Sequence, residues 1–422
     1  MWKDLGFKEN LYDTHPVSAD DRGERLLVGR INELNSLKNR ISGFRTVTTV
    51  EGPNGVGKTS VVLVGAFQLE RETSTCGKKS ILLLPKPFQL TTEESAVEFK
   101  RRVYEEIASH FIKNESKLRA RLDFQTPLNS LAAWLEQPIF RSGNLNFAGI
   151  GAGAASSPNG SVGFDSHGFF NIVDQVLEAA FDRDGGIVCI IDNLEILNTS
   201  QAAREKLEAL RDDLFFKHGI RWVVCGARGI VRSVASSQRL HGRLQDPIEI
   251  APLDVHAIDD LVKTRVNEFR TNSTARPPVD AKSFTHAFKI LNQNLRDTLK
   301  FCGDFSLWLG DNPSILDQPD ELPSLFEVWM AEQSENYSKT LNVPPRAWKL
   351  FDDICERGGS ISPSDHEDFG FTTPQNMRGQ VQKLEQAALV NSEVDDSDHR
   401  RKVISVVAKG WLVRYHRSDY RK

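Results

Sequence analysis

The sequence holds no CxxC pair, and no apolar run in it approaches the roughly 20 residues of a membrane-crossing helix. The first absence argues against a zinc ribbon or a thioredoxin-like centre. The second argues against a transmembrane anchor. The N-terminus, Met1-Trp2-Lys3-Asp4, opens no secretory signal. The chain also lacks a positive excess: 53 Lys and Arg face 57 Asp and Glu, a formal charge of -4. A protein that coats nucleic acid along its whole surface is strongly basic, so any such contact here must come from a local patch. The cysteines, Cys76, Cys189, Cys225, Cys302 and Cys355, are scattered, and Cys189 and Cys225 sit within apolar runs. That is how free thiols are used as small hydrophobes. A reducing, cytoplasmic setting is the expectation.

What is present is an ordinary globular composition, with 39% apolar and 26% charged residues. At 422 residues, about two or three domains are expected. Residues 1–24 are polar without periodicity and read as an arm. Next, Ile31, Leu34, Leu37 and Ile41 recur at helical spacing. Five short apolar runs follow: Val47–Val50, Ile81–Leu84, Ile187–Ile191, Trp222–Cys225 and Ile248–Ile250. They alternate with helical stretches, and Ile81–Leu84, Ile187–Ile191 and Trp222–Cys225 are continuously rather than alternately apolar, which predicts a mostly parallel sheet covered on both faces. The Gly-, Ala- and Ser-rich segment 143–168 reads as an extended hairpin or a mobile loop, with a turn signal at Pro158-Asn159-Gly160.

After Leu253 the pattern becomes helical. Asp254 can cap a helix whose apolar face is Ile258, Leu261, Val262, Val266 and Phe269. Further helices are expected over about 293–309 and 324–341. Pro344-Pro345 opens a last unit. Thr373-Pro374 is a helix start, with Met377, Val381, Leu384 and Ala388 as its buried stripe and Asn376, Gln380 and Lys383 on the other face. Val390–Val394 and Val403–Val407 read as the two strands of a wing.

The strongest chemical signal is Gly52-Pro53-Asn54-Gly55-Val56-Gly57-Lys58-Thr59, the phosphate-loop spacing between a strand and a helix. Glycines let backbone N–H groups turn toward phosphates, and the helix N-terminus adds partial positive charge. Asn54, Gly55, Val56, Gly57 and Ser60 join Gly52 as the expected nucleotide contacts. Lys58 is placed to reach the β- and γ-phosphates of ATP, and the Thr59 hydroxyl to ligate Mg²⁺. The metal-side carboxylate is read as Asp192, directly after the run Ile187–Ile191. Glu195 can activate the attacking water or belong to the surface of the next helix. No NKxD guanine motif and no LSGGQ-type signature occur.

Taken together, these pieces resemble the AAA+ ATPases, in particular the origin-recognition initiator branch and the related STAND-like signalling ATPases. The segment LLVGRINEL resembles the adenine-side box, IIDNLE occupies the Walker B position and WVVCGAR looks like the sensor 1 strand. NLRDTLKFCGD resembles the sensor 2 helix, and the final unit resembles a winged helix. The resemblance implies an α/β fold in four parts: an arm over 1–24, an ATPase core over 25–252, a helical lid and connecting helix over 253–343, and a winged-helix domain with a basic tail over 344–422. It implies Arg243 as arginine finger, with Arg239 as second choice, Arg296 as sensor 2, and Arg228 near sensor 1. It implies self-association in the ATP state.

One position departs from that pattern. Initiator-type members carry a glutamate directly after the Walker B aspartate, and here the residue is Asn193. Hydrolysis then relies on Glu195 or is slow. Residues 399–422 hold eight Lys or Arg against one acid, Asp419, so residues 373–422 are the expected site for duplex DNA. Asp395, Asp396 and Asp398 at the wing tip would repel phosphates. A winged helix that only gates the nucleotide, or an assembly scaffold with negligible turnover, are the alternatives.

Overall fold

The computed structural model describes residues 2–43, 46–136, 139–142, 155–158, 166–197, 200–227, 229–235, 237–240, 242–312, 319–394 and 402–419. Its centre is a parallel sheet of five strands, β1 (Thr48–Glu51), β2 (Ile81–Leu83), β5 (Gly186–Ile191), β6 (Ile220–Gly226) and β7 (Ile248–Glu249). The order across the sheet is β2-β5-β6-β1-β7. Two strands outside it, β3 (Ile139–Ser142) and β4 (Ala155–Pro158), pair antiparallel with Ile139 opposite Pro158. The proline of the expected turn therefore stands at the base of this pair, and residues 143–154 of the Gly-, Ala- and Ser-rich segment lie outside the described residues. Asn159 and Gly160 lie outside the described residues.

The strands β2 and β5 are buried along their whole length, and β1 is buried too although it carries Thr48, Thr49 and Glu51; Glu249 of the edge strand β7 is exposed. Val50, Val188, Ile190, Val223 and Cys225 pack beneath the helices Ile31–Gly43 and Lys58–Glu72. Cys189, Ile191, Trp222 and Val224 pack on the opposite side against Phe88, Phe99 and Leu207. In the first of those helices, Leu34, Leu37 and Ile41 are buried, whereas Ile31 is 73% exposed.

A second core belongs to the helices Ala257–Phe269, Ala281–Ile290, Leu295–Asp311 and Leu322–Lys339. Asp254 does not cap the first of these through its own N-cap position; its carboxylate accepts from His256 N in a turn just ahead of the helix. The N-terminal segment, expected to be an arm, is part of this core. Phe7, Leu11 and Tyr12 are almost fully buried in it. Lys8 N donates to Phe269 O, and Thr271 N donates to Gly6 O. The Tyr12 hydroxyl donates to Val279 O and accepts from Val279 N, both at 2.9 Å.

The last unit combines the helices Pro345–Glu356, Pro374–Gln386 and Ala408–Asp419 with an antiparallel sheet of β8 (Ser360–Ile361), β9 (Val390–Val394) and β10 (Lys402–Val406), ordered β8-β10-β9. This is a winged-helix arrangement. Thr373 caps its second helix by accepting from Asn376 N, and Pro374 takes the first turn. Met377, Val381 and Leu384 are buried, but Ala388 is exposed, in the left-handed region at φ 54° just past the helix end.

The expected basic tail is, over Ala408–Asp419, a helix held between two cores. Leu412 is buried in the lid core and Val413 in the winged-helix core. Arg414 donates to Asp352 at 3.0 Å and to Glu356 at 3.1 Å, and Arg417 donates to Asp352 at 3.1 Å while stacking on Trp348.

Candidate nucleotide site

The phosphate loop leaves the carboxyl end of β1 and turns into the helix Lys58–Glu72. Gly55 and Gly57 adopt φ of 84° and 95°, a region that residues with a Cβ reach only at a cost. At Gly55 a Cβ would also come within 2.3 Å of the Asn294 side chain. Only glycine fits there.

Lys58 is 7% exposed, and its ammonium donates to Gly52 O at 2.9 Å and Pro53 O at 3.2 Å, bent back over the loop's own carbonyls. A phosphate is the stronger acceptor for such a group. Beside it, Thr59 Oγ1 donates to Asp192 Oδ2 at 2.7 Å. Asp192 follows β5, is 6% exposed, and its other oxygen, Oδ1, is buried without a partner. A hydroxyl and a carboxylate in contact, with a carboxylate oxygen left over, form a hard oxygen set that suits Mg²⁺. Ser60 Oγ accepts from Val17 N at 3.2 Å, which ties the N-terminal segment to the start of the helix.

Above the loop lies a cavity of 310 Å³, bounded by residues 54–60, by Thr14–Val17, by Leu26–Val28 and by Leu295, Arg296 and Leu299 of the lid. Its size is at the lower end of small-molecule sites. The sequence missed two of its walls. The segment Thr14–Val17 carries no periodicity and is held at the cavity by Tyr12 and Leu11, anchored in the lid, and by the Val17 N–H on Ser60 Oγ. Arg265, 9% exposed, holds that anchor by donating to Leu11 O at 2.7 Å. Burial lowers its pKa to about 10. Arg30 was the other omission. It is 4% exposed, pairs with Glu33 at 3.0 Å and donates to Val56 O at 3.1 Å, so it braces the loop from below. An arginine within the segment LLVGRINEL was the available signal.

The remaining expected site residues fall in three places. Arg296 lines the cavity, on the first turn of the helix Leu295–Asp311. Asn193 also lines it, at φ 57°. Glu195 lies in the short turn Leu194–Leu197, and its side chain is outside the described residues, as is Arg228. Arg243 stands elsewhere. Its carbonyl accepts from Val47 N at 2.9 Å, at the end of β1 opposite the phosphate loop. Its guanidinium stacks on Phe216, 4.5 Å from the ring centre. It does not line this chain's own nucleotide cavity. Arg239 pairs with Glu208 at 3.6 Å.

No helix among the described residues is long and apolar enough to cross a membrane.

No family model matches the chain, and no curated protein does. Among solved structures, the ORC1 protein of Aeropyrum pernix in complex with DNA is 15% identical, covering 98% of each chain at a TM-score of 0.41. The ADP form of the ORC2 protein of the same organism is 10% identical, covers 98% of each chain and scores 0.47. A Walker-type ATPase of Pyrococcus abyssi is 14% identical, covering 96% of this chain and 99% of its own at 0.45. The chain's own strand order and phosphate loop define its fold. Those features make the fold an α/β P-loop core of the AAA+ arrangement, with a helical lid and a C-terminal winged-helix unit.

Proposed function

We propose that this protein is an ATP-binding switch with slow turnover, which self-associates in the ATP state and controls a DNA transaction. The observation that carries the nucleotide half is the Thr59–Asp192 contact beneath the loop, with Asp192 Oδ1 left without a partner. In this reading Thr59 and Asp192 would hold Mg²⁺, which would supply positive charge beside the phosphates. Lys58 exchanges the loop carbonyls for phosphate oxygens. Arg296 approaches the same phosphates from the lid. Slow turnover follows from Asn193, an amide that cannot take a proton from water, at the position beside Asp192. Arg243, at the far end of β1, serves a neighbouring copy's nucleotide.

The DNA half rests on the helix Pro374–Gln386, whose Asn376 and Lys383 are exposed. Such a helix is of a size to enter a major groove. A specific observation favours a second reading, in which the winged helix only gates the nucleotide. Arg414 and Arg417 are spent on Asp352 and Glu356, and the helix carrying them is buried against the lid. Titration of the purified protein with duplex DNA at low salt, with and without Mg-ATP, separates the two. ATP-dependent binding supports the DNA reading. No binding in the micromolar range supports gating.

A further inference from the structure

Between the helices Ala281–Ile290 and Leu295–Asp311 lies a turn with an unusual backbone. Asn292 and Gln293, neither of them glycine, both have positive φ, at 53° and 59°. Each such residue costs on the order of 1 kcal/mol unless its surroundings hold it. The surroundings hold this pair from within the lid, where Gln293 N donates to Phe288 O at 2.8 Å and Asn294 N to Leu291 O at 3.1 Å. The result is that Asn294 is delivered to one place, over the phosphate loop.

Asn294 then works in two directions. Its Oδ1 accepts from Asp297 N at 3.2 Å and caps the helix Leu295–Asp311. Its Nδ2 donates to Asn54 O at 3.3 Å. Two residues on, Arg296 N donates to Gly55 O, also at 3.3 Å. Two consecutive carbonyls of the phosphate loop are thus bonded to the lid. No peptide in the described chain is cis. In a planar trans peptide the N–H points opposite to the C=O. Fixing Asn54 O and Gly55 O on the lid therefore also fixes the directions of the N–H groups of Gly55 and Val56, which belong to the same two peptides. The 2.3 Å separation that a Gly55 Cβ would have from Asn294 Oδ1 shows how closely the two segments approach.

We propose that Asn294 is a positioning residue for the phosphate cradle, latching lid and loop together so that the loop's N–H groups are aimed before nucleotide arrives. It touches the loop and does not line the cavity. The latch also reaches the winged-helix unit, because Asn292 Nδ2 donates to Gly358 O at 3.2 Å from the same turn. The proposal rests on the ATP reading of the cavity.

The test is Asn294→Ser in the full chain. Serine caps a helix about as well as asparagine, is uncharged, and is too short to reach Asn54 O. Mg-ATP affinity is measured by calorimetry, and lid stability by urea unfolding without nucleotide, for wild type, Asn294→Ser and Asn294→Ala. The expected result is affinity about three- to tenfold weaker for Asn294→Ser, the effect of one neutral hydrogen bond, at unchanged stability. Asn294→Ala should lose both. Wild-type affinity in Asn294→Ser overturns the proposal, and so does a loss of affinity seen only where stability falls with it. If the wild type itself does not bind Mg-ATP, the nucleotide reading falls first and the latch with it.

Discussion

Thr59 Oγ1 stands 2.7 Å from Asp192 Oδ2, joining the first turn of the loop helix to the end of β5 across 133 positions of sequence. This contact places a hydroxyl and a carboxylate where one cation can take both. Asp192→Ala should therefore remove the difference between ATP affinities measured with Mg²⁺ and with a chelator. We expect that difference to fall from tenfold or more, the effect of about 1.4 kcal/mol of metal-linked binding, to near unity. Equal Mg²⁺ dependence in wild type and variant would show that another group holds the metal.

Hydrolysis separates the candidates around Asn193. If Glu195 positions the water, Glu195→Gln lowers turnover by about 100-fold, the lower range for a lost general base, and leaves binding intact. Single-turnover assays of Glu195→Gln and Asn193→Ala decide it. Turnover lost in Asn193→Ala but kept in Glu195→Gln would reverse the roles.

Arg243 should act between copies of the chain. Arg243→Ala is expected to lower turnover without weakening ATP binding. A Lys58→Ala subunit still carries Arg243, so mixing the two inactive variants should partly restore activity. A protein that stays monomeric in ATP and shows no rescue would remove the role in trans.

The N-terminal segment gives a prediction about stability. Tyr12→Phe keeps the ring but leaves the buried N–H and C=O of Val279 without the hydroxyl they share. The cost should be about 1–3 kcal/mol, read as a lower urea midpoint for the lid. An unchanged midpoint would mean that the segment is not part of the lid's cooperative unit.

The sequence was most informative where chemistry is local. Three of the five strands could be placed because each is a short, uninterrupted apolar run, β1 and β7 because β-branched residues flank the polar ones, and the loop because its spacing is contiguous. The anchor of Tyr12 to Val279 spans 267 positions, and no periodicity in residues 1–24 could announce it. A stretch of eight positive charges read as a basic tail, yet Arg414 and Arg417 meet Asp352 and Glu356, about sixty positions earlier. Charge counting sees the excess and not the partner. Ala388 fits the helical stripe by spacing, but the helix ends two residues sooner, at Gln386, with the backbone passing into the left-handed region. The latch at Asn294 was hidden for the same reason as Arg30: each touches loop carbonyls, and a carbonyl leaves no mark on a sequence.

The most direct test of the account is calorimetric titration with Mg-ATP of the wild type and of Lys58→Ala. Lys58 is the cation that bends over the loop, on Gly52 O and Pro53 O. One site per chain is expected in the wild type and an affinity lower by about 100-fold or more in Lys58→Ala, the loss expected of a buried charge-assisted contact. Equal affinities, or no binding by the wild type, would contradict it.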